Sequence, residues 1–467
     1  MLPEEFVKNM KELLGDEKYR LFEQSYSEEP VMSLRINGLK KKTEDAVGIK
    51  ALMNLEPVPY EESGYYFNAE DAPGRRPFHD AGVYYIQDPG AMVPAAVLTH
   101  SEFFAKLNAS GRGLKVADLC ASPGGKSTQI AQAMAGKGLL VSNEINRSRA
   151  EILSCNIERL GITNAIVLNE NTEKLAARFE GFFDAVIVDA PCSGEGMFRK
   201  DPEAIKQWSA ESVGICAERQ SQILENACKM VRAGGVLIYS TCTFESEENE
   251  DRVEEILKNH PDMELENISY IKKHIPGCMD GFGSCRDAVR LMPPGFKGEG
   301  QFSASLKRAG DSENAFPYGG FESPSKIKDM KALETFLKES LSKDAAEKIL
   351  GAADRFKLFG DNLYIMPDDT PSLSGLKVLR CGLCIGSFKK DRFEPAHALA
   401  LTLGKEDVKL FADTDENNAE SYVRGMTLEG EGSGWCIVAV CGYSLGWGKA
   451  SGGRIKNHYP KGLRIVG

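Results

Sequence analysis

The chain has 467 residues, too many for one hydrophobic core, and a chain of this length folds as roughly two to four domains. Its hydrophobic content of 42% and charged content of 27% are ordinary for a globular protein. No stretch approaches the roughly 18 consecutive apolar residues of a membrane span, so we expect no membrane association. The formal net charge of −11 argues mildly, as a global average, against a negatively charged partner.

The beginning of the chain and its cysteines indicate the cellular compartment. The opening MLPEEFVKNMKELLG has acids beside its lysines and no apolar run, so it predicts an amphipathic helix and no secretory signal. Twelve scattered cysteines do not form a disulfide framework and suit a reducing cytosol. Cys381 and Cys384 have the spacing of half a zinc site. Because no second pair matches them, we interpret both as half-buried strand residues and expect no metal.

The first two thirds of the chain predict a lead-in domain followed by a parallel sheet. Residues 1–75 combine a helical start, the extended run VMSLRING and a turn-rich segment, which together predict an N-terminal α/β extension. In residues 76–310, helical patterns alternate with five apolar runs that predict buried strands: GLKVADLC, GLLVSNEI, NAIVLNEN, FDAVIVDAP and GGVLIYSTC. This alternation predicts a mostly parallel sheet with helices on both faces. Ligands of such sheets bind beyond the carboxyl ends of the strands.

The remaining third predicts two smaller units. Residues 311–372 predict a linker, one helix and one short strand in FGDNLYIMP, and residues 373–467 predict a small β-rich domain. The final KASGGRIKNHYPKGLRIVG has no acid and five basic residues, which are Lys449, Arg454, Lys456, Lys461 and Arg464. A basic segment on an acidic chain is typical of a localised phosphate-binding surface, although a merely solvated surface is the alternative.

The first predicted strand ends in a turn of small residues that leads into a helix, ADLCASPGGKSTQIA. Small residues and free helix N–H groups let a ligand approach the backbone closely. The turn lacks the G-x-G-x-x-G of a dinucleotide site, and Cys120 stands where a P-loop needs its first glycine. Pro123 also removes an N–H that a phosphate chain would use. A nucleoside cofactor without a phosphate chain fits best.

An acid at the end of the second predicted strand supports a nucleoside site. Glu144 follows the turn by about twenty residues, a position from which a carboxylate binds both ribose hydroxyls. Acids also favour the start of a helix, so Glu144 alone is weak evidence. The combination with the preceding turn makes it a candidate cofactor residue.

Two cysteines and an aspartate follow the fourth and fifth predicted strands. Asp189 and Cys192 lie in VIVDAPCSGEGMF, and Cys242 lies in LIYSTCTF, so all three should meet at one sheet edge. Either cysteine alone could be a packed strand-end residue, since free cysteine is often buried. Together they suit methylation of cytosine at carbon 5. A thiolate that adds to carbon 6 makes carbon 5 nucleophilic and later leaves, while an acid bonds the ring edge. The spacing does not decide which cysteine is the nucleophile.

Several motifs resemble, in chain order, those of a known family: SLRIN, YYIQDPGAM, LCASPGGKST, DAPCSGEGMF, YSTCTF and RLMPPGFKGEGQF. Over nearly its whole length the chain resembles the Nol/Nop/Sun family of RNA 5-methylcytosine methyltransferases, and most closely the bacterial RsmF-like branch that acts on 16S ribosomal RNA. The terminal KNHYPKGLR is similar to the end of that family's PUA-like RNA-binding domain.

The resemblance implies a Rossmann-like class I methyltransferase fold with S-adenosylmethionine as cofactor and small-subunit ribosomal RNA as partner. It implies that residues 1–75 contribute to RNA binding and that residues 373–467 form a PUA-like domain. It also implies that Cys242 is the nucleophile and that Cys192 helps to release the product. By the same resemblance, residues 120–126 and Glu144 contact the cofactor, Asp189 lies between cofactor and base, and Lys126 contacts the cytosine. We expect a cytoplasmic monomer.

One departure from the family and three competing functions remain. The family often has an acid near the adenine after the third strand, where this chain has Asn171 beside Glu170. Because an asparagine can still hydrogen-bond the adenine amine, we expect Asn171 to contact the cofactor. A non-catalytic RNA-binding or assembly factor would be expected to have lost part of the catalytic set. A DNA cytosine methyltransferase would use the cysteine of the Pro-Cys pair, Cys192. A P-loop NTPase is disfavoured by Cys120 and Pro123, and ATP binding would test it.

Overall fold

The computed structural model describes residues 2–44, 48–327, 330–390 and 392–464. The N-terminal extension begins with the expected amphipathic helix, Glu4–Leu14, whose Phe6 and Met10 are buried. A second helix, Asp16–Ser25, packs against it. An antiparallel sheet of four strands follows, in the spatial order Glu56–Pro57, Gly64–Tyr66, Ser33–Ile36 and Tyr84–Ile86. Short helices cover Ile49–Leu52 and Pro77–Asp80. The predicted α/β extension is confirmed.

The centre of the molecule is a ten-stranded sheet. All five predicted strands are present, and they pair in parallel. The order across the sheet is Met279–Asp280, Val289–Leu291, Gln301–Arg308, Val231–Thr241, Phe183–Asp189, Lys115–Asp118, Leu139–Asn143, Ala165–Leu168 and Val378–Cys381, while Met263–Leu265 pairs with Gln301–Arg308. The sheet is therefore parallel in its middle and antiparallel at both edges. This arrangement confirms the predicted Rossmann-like class.

Helices cover both faces of this sheet because its strands are apolar on both sides. Val116 packs into the core on one face and its neighbour Ala117 into the core on the other. Such two-sided burial is typical of parallel sheets. The helices of this region are Pro89–Thr99, Glu102–Ala109, Gly125–Met134, Arg147–Arg159, Thr172–Arg178, Pro202–Gln207, Ala210–Met230, Glu250–Asn259 and Ser269–Lys272.

The C-terminal third contains more elements than the sequence predicted. The expected single helix in residues 322–372 is wrong, because two helices form, Lys331–Ser340 and Lys343–Gly351. The hydroxyl of Ser342 accepts a hydrogen bond from the Ala345 N–H and starts the second helix. The expected single strand is also wrong, because FGDN turns the chain and Phe356–Phe359 pairs with Asn362–Ile365.

Two small sheets complete this region. One has four strands, Phe356–Phe359, Asn362–Ile365, Leu383–Lys389 and Arg392–Pro395. The other has five strands in the order Phe411–Thr414, Gly434–Val440, Tyr443–Ser451, Arg454–Asn457 and Leu428–Glu429. The helices His397–Ala400 and Glu416–Val423 pack among them. The predicted β-rich character of the end of the chain is confirmed.

The predicted domain boundaries after residues 75, 310 and 372 stay predictions. Beyond the third boundary, Val378–Cys381 pairs antiparallel with Ala165–Leu168 and thus lies in the central sheet. Cys381 is buried there, whereas Cys384 lies in the next strand, in a different sheet. Both are strand residues, as interpreted. Among the described residues, none of the helices combines the length and the apolarity that crossing a membrane requires.

Candidate active site

The first parallel strand ends at Asp118, and the predicted turn connects it to the helix Gly125–Met134. Gly124 has a φ of 115°, a conformation that residues with a side chain rarely adopt, which explains a glycine at this helix start. The turn is tied to the neighbouring helix Arg147–Arg159. Asn156 Nδ2 donates to the Pro123 carbonyl at 2.8 Å, and Arg149 donates to the Ser122 carbonyl at 3.0 Å. The turn is thus a fixed platform beside the strand ends.

Glu144 lies directly after the second parallel strand and faces the same platform. Its side chain is buried, one carboxylate oxygen accepts a hydrogen bond from the Asn146 N–H at 2.8 Å, and the other lies 3.6 Å from Arg149. One carboxylate oxygen is therefore fixed by its own loop. The position matches that expected for a residue that binds ribose hydroxyls.

Asn171 uses its side chain for a structural purpose. Its Oδ1 accepts a hydrogen bond from the Lys174 N–H at 2.9 Å and caps the helix Thr172–Arg178. The adjacent Glu170 accepts from Lys174 Nζ at 2.8 Å and from the Lys377 N–H at 2.7 Å. Asn171 Oδ1 and Glu170 Oε1, near the expected adenine position, are thus already bonded within the protein. Neither side chain presents the unpaired carboxylate that the family often has there.

A cavity of about 1050 Å³ lies along the carboxyl ends of the strands. The sequence-predicted residues that line it are Cys120, Ser122, Glu144, Asn171, Asp189, Cys192 and Cys242. Ala121, Pro123, Gly124, Gly125 and Lys126 are not part of its lining, although Lys126 reaches Asp189. Sequence reasoning missed the apolar lining residues Ile145 and Ile223, because a single isoleucine carries no motif.

Asp189 lies at the end of the fourth parallel strand in a dense set of hydrogen bonds. Lys126 Nζ donates to its Oδ2 at 2.8 Å. Ser240 Oγ and Gln301 Nε2 donate to its Oδ1 at 2.8 and 3.3 Å. A charge partner and donors of this kind fix the orientation of the carboxylate. Ser240 and Gln301 were not singled out from the sequence, because their partner becomes a neighbour only through the strand order.

Cys192 and Cys242 come together beside Asp189, as predicted. Their Sγ atoms lie 3.2 Å apart, and the Cys242 N–H donates to Cys192 Sγ at 3.4 Å. The bond to Cys242, together with burial, raises the pKa of the Cys192 thiol well above its ordinary value. Cys192 is therefore a neutral thiol at physiological pH, able to donate its hydrogen to Cys242. The contacts of the two cysteines differ, because the Sγ of Cys192 also accepts a hydrogen bond from the backbone N–H of Cys242.

The predicted basic segment divides between surface and interior contacts. Lys449 and Lys456 are exposed and face each other across two antiparallel strands, and Arg454 follows on the same face. Lys461 is exposed in a short turn. Arg464, in contrast, bonds to Asn457 Oδ1 and to the Tyr459 carbonyl at 3.3 and 3.2 Å. Arg464 thus contacts residues of its own domain and does not extend into solvent as the exposed lysines do.

The cavity suits a nucleoside sulfonium cofactor. The Glu144 carboxylate lies where ribose hydroxyls are expected, and Ile145 and Ile223 offer apolar surface to a purine ring. The turn at residues 120–125 is closed to a phosphate chain by Pro123, as expected from the sequence. Among the described residues, the structure contains no cluster of three His, Cys, Asp or Glu side chains able to hold a metal ion.

A central parallel sheet with helices on both faces and a large cavity at the carboxyl ends of its strands has the architecture of a class I S-adenosylmethionine-dependent methyltransferase. Family models agree over separate parts of the chain. Residues 2–89 match the N-terminal domain of 16S rRNA methyltransferase RsmF, and residues 107–307 match 16S rRNA methyltransferase RsmB/F. Residues 335–403 match the first C-terminal domain of RsmF rRNA methyltransferase, and residues 409–465 match its PUA domain. The chain belongs to the family of ribosomal RNA small subunit methyltransferase F.

Relatives that match over nearly the whole chain support this family membership. Ribosomal RNA small subunit methyltransferase F of Vibrio vulnificus strain YJ016 is 31% identical over 482 residues, which cover 99% of this chain and 97% of the relative. The protein of the same name from Aeromonas salmonicida is 31% identical over 452 residues, covering 92% and 90% of the two chains.

Solved structures agree on the fold. The crystal structure of NSun6 from Pyrococcus horikoshii with SFG superposes with a TM-score of 0.55 at 22% identity, over 66% of this chain and 99% of that one. A methyltransferase homologue from Pyrococcus horikoshii superposes with a TM-score of 0.50 at 26% identity, over 63% and 92% of the two chains.

Proposed function

We propose that this protein transfers a methyl group from S-adenosylmethionine to carbon 5 of a cytosine in small-subunit ribosomal RNA. The observation that carries the proposal is the pair of thiols, Cys192 and Cys242, whose Sγ atoms lie 3.2 Å apart beside Asp189 at the cofactor cavity. Family membership and the names of the relatives support the substrate. A non-catalytic binding protein would have no use for this arrangement.

In the proposed mechanism, Cys242 is the nucleophile. As a thiolate it forms a bond to carbon 6 of the cytosine, and the electron pair of the 5,6 double bond moves toward carbon 5. The bound cofactor supplies an electrophilic methyl group. After transfer, the proton on carbon 5 leaves to a base, and the electron pair it leaves behind expels the Cys242 thiolate. The resemblance to the RNA 5-methylcytosine methyltransferases supports this assignment, and the Cys192 thiol lies in contact with Cys242.

The remaining groups orient the base and stabilise charge. Asp189, fixed by Lys126, Ser240 and Gln301, lines the same cavity as the two thiols. Its carboxylate is suited to accept a hydrogen bond from the exocyclic amine, next to N3 on the edge of the ring. Lys126 is suited to balance charge that develops on the ring. Cys192 donates to Cys242 and assists its departure from the product. The base must be unpaired or flipped out to reach this site.

We also propose where the RNA binds outside the cavity and where the protein works. The exposed face of Lys449, Arg454 and Lys456 is suited to phosphates, and the PUA family match supports this use. Twelve free cysteines support a cytoplasmic location, because thiols persist in a reducing compartment.

The decisive experiment measures transfer of radiolabelled methyl from S-adenosylmethionine to unmethylated small ribosomal subunits and to RNA extracted from them. Label recovered as 5-methylcytosine would establish the reaction, and the better of the two substrates would show whether the enzyme requires the assembled particle. No label on either substrate, with cofactor binding intact, would contradict the proposal and favour a binding factor.

A further inference from the structure

Two carboxylates lie buried behind the paired thiols and bond only to neutral groups. Glu195 and Glu248 are both 0% exposed. Glu195 accepts hydrogen bonds from Trp208 Nε1 at 2.5 Å, from the Phe244 N–H at 3.3 Å and from two hydroxyls. Glu248 accepts from Gln220 Nε2 at 2.7 Å, from the Ser193 N–H at 3.1 Å and from a hydroxyl. Burying a charge without an opposite charge is costly, so two acids here require a reason.

The two carboxylates connect the loops that bear the thiols. Ser193 follows Cys192, and Thr243 follows Cys242. The Ser193 hydroxyl contacts Glu195 at 2.7 Å, Thr243 Oγ1 at 3.0 Å and also Glu248. Thr243 Oγ1 in turn contacts the second oxygen of Glu195. A movement of either loop would therefore break bonds to both acids.

A proton on one carboxyl group satisfies more of these contacts than two ionised carboxylates do. Four oxygen–oxygen contacts join Ser193, Thr243, Glu195 and Glu248, but the two hydroxyls supply only two hydrogens. A hydrogen on Glu248 can be donated to Ser193 Oγ, which then donates its own to Glu195, while Thr243 donates to the other Glu195 oxygen. Of the four contacts, only the longest one, between the hydroxyls of Ser193 and Thr243, then lacks a hydrogen. With both acids ionised, a second contact would also lack one.

The surroundings of Glu248 favour that protonated form. Burial, and then the charge of Glu195, raise the pKa of Glu248 to about 7. The other titratable groups that face it are Cys192, Tyr239 and Cys216, and each of them has its own pKa raised in part by Glu248. Glu248 is therefore protonated below a pH of about 7 and ionises above it.

We propose that Glu248 is a positioning residue, whose protonated carboxyl group joins the Cys192 loop to the Cys242 loop and keeps the two Sγ atoms in contact. Gln220 completes the arrangement, because its Nε2 donates both to Glu248 and to the Pro191 carbonyl at 3.0 Å, next to Cys192. Glu248 does not line the cofactor cavity, so its effect concerns the thiols and not cofactor binding. The relevance of this inference to catalysis rests on the proposed function.

The test compares Glu248→Gln and Glu248→Ala with Glu247→Gln, an exposed neighbour that serves as a matched control. A glutamine amide can donate to Ser193 at every pH, as the protonated acid does. Single-turnover methyl transfer is measured from pH 6 to 9, together with the rate at which iodoacetamide alkylates each cysteine. Exposed Cys155 provides an internal reference for the alkylation.

We expect the rate of the wild type relative to Glu248→Gln to fall as pH rises through about 7. This ratio cancels the titration of the nucleophile, which both proteins share. Glu248→Ala should lose at least about tenfold in rate at each pH while keeping its cofactor affinity, and its Cys192 should be alkylated severalfold faster. Glu247→Gln should follow the wild type throughout.

A constant ratio across this pH range, or unchanged Cys192 alkylation in Glu248→Ala, would overturn the inference. If Glu248→Ala does not fold, Ser193→Ala replaces it, since loss of that hydroxyl removes the junction between the two acids and should also accelerate alkylation. A wild-type protein that methylates no RNA would contradict the proposed function, and the alkylation comparison would still decide the role of Glu248.

Discussion

The carboxyl edge of the parallel sheet and the basic terminal segment assemble their polar residues in different ways. At the sheet edge, Asp189 and Cys242 are far apart in the chain but follow adjacent parallel strands, so topology brings them together. In the terminal segment, neighbouring basic residues separate, since Lys456 faces solvent while Arg464 folds back onto Tyr459. Position relative to a strand end thus predicts a site better than closeness in sequence does.

Substitution of the nucleophile tests the sheet-edge region most severely. Cys242→Ala should reduce methyl transfer by at least about three orders of magnitude, because it removes the thiolate proposed to form the bond to carbon 6. Cofactor affinity, measured by calorimetry, should stay nearly unchanged. Substantial remaining activity would refute Cys242 as the nucleophile and direct attention to Cys192.

Cys192→Ala separates the two thiols. Without the thiol that contacts Cys242 Sγ, release of the product should slow, so that a covalent protein–RNA adduct accumulates and multiple turnover stops. A denaturing gel with labelled RNA detects the adduct. The double variant lacking both thiols is the control and should give none. Absence of an adduct while Cys242 is intact would remove the release role.

The two acids of the cavity should affect different steps. Asp189→Asn loses its charge pairing with Lys126 and should lower the single-turnover rate about a hundredfold with little change in cofactor affinity. Glu144→Gln should mainly weaken cofactor binding, because its carboxylate lies where the ribose is expected. Titration calorimetry combined with single-turnover rates distinguishes the two. Equal loss of affinity in both variants would contradict this division.

The smallest expected effect concerns the terminal segment. Replacing Lys449 and Lys456 together by alanine should reduce the slope of log affinity against log salt by roughly two, one for each lost phosphate contact. Arg464→Ala should leave that slope unchanged and lower the melting temperature instead, since its partners are Asn457 and Tyr459. A reduced slope for Arg464→Ala would show that its charge also reaches RNA.

Much of the fold and the centre of the site could be predicted because they depend on local signals. The apolar runs specify the five parallel strands, and their carboxyl ends locate Glu144, Asp189 and Cys242. Residues whose function depends on distant partners carry no such signal. In the sequence, Glu195 and Glu248 look like ordinary acidic residues of loops. Only the folded structure shows that both contact the Ser193 hydroxyl. Asn171 lines the cavity, and its contact with the cofactor stays a prediction, but nothing in the sequence indicated that its Oδ1 would also cap the following helix.

The edge strand Val378–Cys381 has a consequence for biosynthesis. Its partner, Ala165–Leu168, is synthesised long before it, so the central sheet keeps an unpaired edge while most of the C-terminal third is still being translated. Unpaired edges are templates for pairing with other chains. A product that terminates before residue 378 would retain every proposed catalytic residue and still expose this edge. Such fragments should therefore aggregate or be degraded, which couples the appearance of a working catalytic domain to nearly complete translation.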